Sequence, residues 1–437
     1  LSLKAGKKIG GMIPMFSLAL FLLLFPTWVT HARSVTHHFQ NGFTLVLTED
    51  RGSNVVGMSM LVYGGTQFES LAERGTFRLV LDTMQRGTAS RSGDRIALER
   101  ALLGDAFEVR TLADYWALEA TVPPEKVASL VDLVHDLVFN SLFTEDGLSK
   151  ARNIAVQTIR TEEDSPLHAM VDFYRSVFYP DLYAAPDRRI ENLNAFTRDD
   201  LLRVYREFFV PGNMVMALAG NLNTEEALRL VSSSFGSQEA AGFGRGRNVI
   251  RASSGDLPDF EERRGGITQA GILVGTRLES FDRRDTPVIE LVNAVLDNSL
   301  GGRLYDAVRE REGLVYSISP YFSVRIEPFT WFVLATTRKR NISRVLKKTE
   351  LVLKGLAADL PSAQEMQLAK NYLKTRLAIS YSSPVNRARY EAERTLQGED
   401  HGDLPERMAE IDAVSRDDIT QFIERYVPDH WTTLVLR

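Results

Sequence analysis

At 437 residues the chain is too long for one ordinary core, so more than one domain is expected. Hydrophobic residues make up 44% and charged residues 25%, and the formal net charge is -5, which gives no electrostatic reason to expect nucleic acid as a partner. Cysteine is absent, which excludes disulfides and thiolate metal sites as sources of stability.

In chain order, Lys4, Lys7 and Lys8 precede the apolar run FSLALFLLLFPTWV (16–29), and Ala32 follows as a small residue for cleavage. Residues 1–32 are therefore expected to be a secretory signal peptide; the run is shorter than the ~20 residues of a spanning helix, so no stable membrane anchor is expected. His37 and His38, the only histidines close together in sequence, belong to the exposed start of a first strand. FRLVLDTMQRGT (77–88) reads as most of a helix stopped by Gly87, with Arg78 and Asp82 one turn apart. An exposed pair of that kind contributes a few tenths of a kcal/mol, about 0.3; the alternative use of Arg78 is to bind a substrate carboxylate.

Strand-like runs FEVRT and YWALEATV follow, then helices around 124–139 and 144–163. Thr197 caps a helix that begins RDD, with Asp200 completing the box, and Pro211 ends it before a last strand. SQEAAGFGRGRNVIRASSGDLPD (237–259) is rich in Gly, Ser and charge and reads as a linker; one GFGRGR in an acidic chain does not make an RNA-binding segment.

Beyond the linker, Thr286 is placed as an N-cap with Pro287 first in a helix whose apolar face runs from Val288 to Leu296. SLGGRLYDAVREREGLVYSISPYF (299–322) gives a short helix through Leu304, Tyr305, Ala307 and Val308, a stop at Gly313 and a strand from near Tyr316. Arg309 and Tyr316 straddle that junction and are placed to share a cleft; the plain alternative is a surface arginine and a core tyrosine. The strand FTWFVLATT, helices at 341–356 and 362–382, and a helix capped by Ser415 with Asp418 complete the chain.

The chain repeats itself. GTQFES (65–70) recurs as GTRLES (275–280), LSKARN (148–153) as MQLAKN (366–371), and FTRDDLLRVYREFFVP (196–211) as VSRDDITQFIERYVP (414–428), in the same order at offsets of 210 to 218. This points to two copies of one α+β domain, a mixed, mainly antiparallel sheet with helices packed on one side. The expected boundaries are a first domain at 33–240, a linker at 241–260 and a second domain at 261–437.

The 299–322 stretch closely resembles the second-domain signature of the pitrilysin and insulinase superfamily of inverted-motif zinc peptidases, which includes the mitochondrial processing peptidases and their small bacterial relatives. SAQEMQLAKNYLKTRLAISYSSP (362–384) is similar to the helix that follows in that family, and EEDSP (162–166) to a first-domain segment. The resemblance implies a processing-peptidase-like fold. It also implies that Arg309 and Tyr316 hold the substrate backbone and stabilise a developing oxyanion.

The same resemblance locates what is missing. The family's H-x-x-E-H helix aligns, through the RGT at its end, with Arg78, Leu81 and Asp82, and the distal glutamate position falls on Thr158. Arginine offers no lone pair, leucine takes no proton, and one aspartate is far from three ligands. No metal or other cofactor is therefore expected in this chain. By resemblance it is the zinc-less subunit of a heterodimeric metallopeptidase, inactive alone, exported to a bacterial periplasm, with a homologous zinc-bearing partner and peptide substrates. The alternatives are an inactive peptide-binding or recognition subunit and a structural assembly protein.

Overall fold

The computed structural model describes residues 34–437 except 105, 164, 184–188, 242–256, 264–268, 298–300, 324–327 and 399–403. The segment assigned to a signal peptide lies outside the described residues, as does most of the linker. Among the described residues no helix is long and apolar enough to cross a membrane.

Two sheets carry the fold. The first contains β1 (Ser34–His38), β2 (Thr44–Glu49), β3 (Val56–Tyr63), β4 (Glu108–Thr111), β5 (Tyr115–Val122) and β6 (Met214–Gly220), in the order β1-β2-β6-β3-β5-β4. The second contains β7 (Phe260–Glu262), β8 (Ala270–Leu278), β9 (Val315–Ser323), β10 (Phe329–Thr337) and β11 (Thr432–Leu436), in the order β7-β11-β8-β10-β9. Apart from β1, the two orders correspond strand for strand. In both, the first and last strands of the half run parallel (β2 with β6, β7 with β11) while the other pairs are antiparallel. The repeated sequence blocks therefore mark a duplicated topology, and the architecture is α+β. β7 begins at Phe260, the last residue assigned to the linker.

Alternation along each strand divides two cores. In β3, Val56, Met58, Met60 and Val62 enter the main core under helices Thr76–Met84, Val127–Phe139 and Arg198–Phe208. In the second sheet Ile272, Val274, Trp331 and Val333 face helices Thr286–Leu296, Ile342–Ala358 and Arg416–Tyr426. Thr197 and Ser415 form full capping boxes with Asp200 and Asp418. Thr286 is instead the first residue of its helix and Asp285 the cap, because the preceding turn at Arg283–Asp285 runs directly into the helix. The GTQFES and GTRLES blocks occupy the same strand-to-helix connection in different conformations: Gly275 to Leu278 are still in β8, whereas the first half leaves β3 at Tyr63 and turns through Thr66–Phe68.

Nothing in the residue pattern signals what covers the other face of each sheet. Pro166 and Pro384 each follow a long helix (Glu145–Glu163 and Ala363–Ser382) and start a new one, since proline lacks the N–H needed to continue the old. Each new helix crosses to the other half. Pro384–Gln397 lies on the first sheet, where Ala388 and Ala392 meet Val46, Leu61, Ala217 and Ala219. Pro166–Phe178 lies on the second, where Met170 and Phe173 meet Leu273, Leu434 and Leu436. The described residues accordingly form one compact unit.

Candidate functional site

The helix Thr76–Met84 is fixed from beneath. Phe77 stacks on Trp116 with ring centroids 4.8 Å apart, and the indole N–H donates to the Phe77 carbonyl at 2.9 Å. At its N-terminus the backbone N–H groups of Gly75 and Phe77 donate to Glu69 Oε1 at 3.1 and 2.8 Å. Burial pushes the Glu69 carboxyl up to about 7, against the opposing pull of the Phe77 N–H and the Arg74 charge.

The four positions aligned with zinc ligands and base do not converge on a metal. Leu81 is 2% exposed and belongs to the core. Arg78 and Asp82 form the expected ion pair, Nε to Oδ2 3.5 Å, and burial raises the Asp82 carboxyl despite Arg78. Thr158 donates its hydroxyl to the Ile154 carbonyl at 2.9 Å. An arginine, a buried leucine, a paired aspartate and a hydroxyl turned to its own helix do not fit zinc. Among the described residues no group of three or more histidine, aspartate or glutamate side chains is placed to hold a metal ion.

Arg78 opens onto a cleft of about 670 Å³ between the first half and the uncovered part of the second sheet. Glu69, Arg74 and Thr111 line one side, Tyr321, Phe332 and Leu334 of β9 and β10 the other, and Tyr174, Arg175 and Tyr179 close it along the crossing helix. This cleft is not evident from the residue pattern; its one local signal is the run of Tyr174, Arg175, Tyr179 and Tyr183 within a short segment.

Arg309 and Tyr316 sit elsewhere. Tyr305–Glu310 is a π-helical turn, a wider coil than the short helix expected, and it is tied to the next strand by Gly313 N–H to Arg309 O (2.9 Å) and Leu314 N–H to Val308 O (3.1 Å). Gly313 takes a φ of 58°, a conformation that suits glycine. β9 then carries a bulge. Thr336 pairs with Ser317 and Thr337 with Val315, so Tyr316 has no partner and is the extra residue. Without it Tyr316 would turn into the core; with it Val315 is buried and both Tyr316 and Ser317 face solvent.

Tyr316 is 46% exposed, so the core alternative fails for it. Its phenol oxygen accepts a hydrogen bond from Arg338 Nε at 3.0 Å, which leaves the phenol proton available to another acceptor. Arg309 is exposed, with its guanidinium 5.1 Å from the Tyr305 ring centre. No hydrogen bond joins Arg309 to Tyr316 among the described residues, and neither lines the cleft. Tyr316 does share a sheet face with cleft-lining Tyr321, about 17 Å away by strand rise. His37 and His38 lie exposed in β1, and His38 Nδ1 is 3.1 Å from Thr44 Oγ1.

Residues 44–179 match the family model described as insulinase (peptidase family M16), and residues 195–373 match that of the peptidase M16 inactive domain, most of the chain between them. The chain belongs to the pitrilysin and insulinase superfamily. This M16 chain is 26% identical, over 86% of its length and 91% of the relative's, to an uncharacterized zinc protease of Bacillus subtilis (strain 168). Its fold is that of a protease from Helicobacter pylori, with a TM-score of 0.84 at 14% identity over 93% of this chain and 100% of the other. A peptidase M16 inactive domain from Pseudomonas fluorescens superposes with a TM-score of 0.81 at 18% identity, covering 92% of this chain and 97% of that one. It is thus a member of a peptidase family, while its own Arg78, Leu81, Asp82 and Thr158 do not fit a metal.

Proposed function

We propose that this M16 chain is the non-zinc subunit of a heterodimeric metallopeptidase, exported to the periplasm, and that Arg309 and Tyr316 complete the active site of a homologous zinc-bearing partner. The observation that carries the reading is the pairing of a substituted metal helix with a specially built β9 entrance. A π-helical turn and a β-bulge, irregularities that recur at functional sites, bracket Arg309 and Tyr316 and turn the tyrosine out of the core. Arg309 supplies a fixed cation for a substrate carbonyl or carboxylate, and the Tyr316 phenol, its oxygen held by Arg338, donates its proton to a developing oxyanion. The metal and the activation of water belong to the partner.

The test is reconstitution. The purified chain should be zinc-free and inactive, and a zinc-bearing homologue from the same source should restore peptide cleavage. Arg309→Ala or Tyr316→Phe in this chain should then lower kcat about 100-fold, the scale of losing one oxyanion donor, with complex formation and zinc content unchanged. Full activity with both substitutions in place would refute the trans role.

A further inference from the structure

Seven cations and one acid, Glu350, fall between 338 and 354 (RKRNISRVLKKTELVLK) in a chain whose formal net charge is -5. The helix Ile342–Ala358 carries most of them, and packing settles how it is turned: Ile342, Val345, Thr349, Leu353 and Leu356 are buried. The opposite side is exposed and reads Arg340, Arg344, Lys347, Leu351 and Lys354, a stripe about 20 Å long at alternating spacings of four and three residues. Leu351, at 65% exposure, is the large apolar side chain in its middle.

Little of this charge is used within the chain. Glu312 takes Arg344 and Lys348 at 2.8 and 2.6 Å, and Glu350 stands 3.8 Å from Lys354. Lys339, Arg340 and Lys347 make no ion pair among the described residues. The first two sit at the N-terminal end of the helix, where aligned peptide dipoles disfavour cations and no acid stands in the first turn to offset them. Helix stability therefore does not account for their presence.

We propose that this face adsorbs the protein reversibly on an anionic phospholipid surface, with the cations at the headgroup phosphates and Leu351 entering the acyl boundary. Protein interfaces are depleted in lysine and enriched in aromatic residues, whereas this stripe is rich in lysine and holds no aromatic ring. Single-stranded nucleic acid is held by stacking on such rings, and a duplex offers Leu351 no apolar layer. A bilayer supplies both, negative charge outside and hydrocarbon just beneath, which suits an exposed leucine flanked by Lys347, Lys348 and Lys354. The helix packs on the Trp331 and Val333 face of β10, while Phe332 and Leu334 of the same strand line the cleft, so adsorption turns the cleft away from the lipid. The surface lies wholly in this chain and needs neither zinc nor a partner subunit. Adsorption and trans catalysis can therefore fail separately.

Flotation with phospholipid vesicles tests this, using the chain from Arg33 so that the apolar run at 16–29 does not contribute; residues 33–437 form one compact unit. The protein should float with phosphatidylcholine vesicles containing about a third phosphatidylglycerol, stay unbound with phosphatidylcholine alone, and come off as NaCl is raised through about 0.5 M. At about fivefold per cation, Lys339→Gln, Arg340→Gln and Lys347→Gln together should weaken adsorption about 100-fold. The same charge change on exposed residues of the first half, Arg160→Gln, Arg206→Gln and Arg229→Gln, should leave it within about twofold. Leu351→Ser should weaken it about fivefold, with the melting transition close to wild type. No flotation, equal flotation with both vesicle types, undiminished adsorption without the three cations, or an equal loss in the first-half variant would overturn the proposal. Unchanged adsorption of Leu351→Ser, or tighter binding to soluble polyglutamate than to the vesicles, would overturn the bilayer assignment.

Discussion

The two crossing helices occupy equivalent places on equivalent sheets and pack in opposite ways. On the first sheet, Gly57 of β3 lies so close to the start of Pro384–Gln397 that a Cβ there would stand 2.1 Å from the Val385 backbone nitrogen. Small residues (Ala217, Ala219, Ala388 and Ala392) continue the contact, and charged groups lock it. Glu119 receives Arg389 through two hydrogen bonds of 2.5 and 2.8 Å, and Arg387 reaches Asp50 at 2.9 Å. On the second sheet, Gly271 of β8 faces only the flexible Met170, with a Cβ 3.0 Å from its sulfur. There the contact is made by rings, Tyr174 on Phe332 at 4.7 Å, with Tyr174 hydrogen-bonded to Thr330 at 2.6 Å. Large side chains prop that helix away from the sheet and leave the cleft. One topology thus yields a sealed core or an open cleft according to side-chain size at the crossing.

The sharpest way to break this comparison is a pair of matched substitutions. Gly57→Ala should destabilise by about 3 kcal/mol or more, because backbone cannot yield to the new methyl, whereas Gly271→Ala should cost less than about 1 kcal/mol as Met170 moves aside. Urea unfolding of both variants decides it; equal costs would mean that the two crossings pack alike. Next in size is Glu119→Gln, which strips Arg389 and Arg110 of their shared anion and should cost about 3 kcal/mol. Burial works to raise the Glu119 carboxyl, but the hydrogen bonds and charge of Arg389 and Arg110 outweigh it and hold it below the ordinary range. Its contribution is present above about pH 4.3, the value in an unfolded chain, and is lost as the pH falls through the depressed native value.

Glu69 should act with the opposite sign on the cleft side. Its native carboxyl is raised to about 7, so the stability it contributes is complete below the unfolded value of about 4.3 and is lost as the pH rises through about 7. Glu69→Gln should flatten that slope in melting curves measured between those limits; an unchanged slope would show that Glu69 is not the titrating group. The smallest effect expected is from the Arg78 and Asp82 pair: a double-mutant cycle should return about 0.3 kcal/mol of coupling in stability. A coupling above 1 kcal/mol would give the pair a structural weight that its 3.5 Å separation does not suggest.

The features legible in the sequence were local or repeated. The caps at Thr197 and Ser415, the strands at 115–122 and 329–337 and the order of the duplicated blocks all follow from neighbouring residues. So did the unfitness of Arg78, Leu81, Asp82 and Thr158 for a metal, which depends on atom types alone. The crossing helices were not legible, because EEDSP and YSSP announce a break and a restart but not which sheet the restarted helix will meet. Nor was the π-helical turn before Gly313, or the bulge at Tyr316: both are one-residue departures that a periodicity of 3.6 or 2 smooths over.

The helix Pro384–Gln397 also sets a timetable for biosynthesis. The first sheet is complete in chain order at Gly220, yet Val46, Leu61, Ala217 and Ala219 on its outer face wait for a segment that leaves the ribosome far later. A nascent first half therefore carries an uncovered apolar surface through the making of most of the second half, the condition under which growing chains aggregate or call on chaperones. A chain cut between its halves would leave each fragment holding the cover of the other's sheet, so the two pieces should fold well only when supplied together.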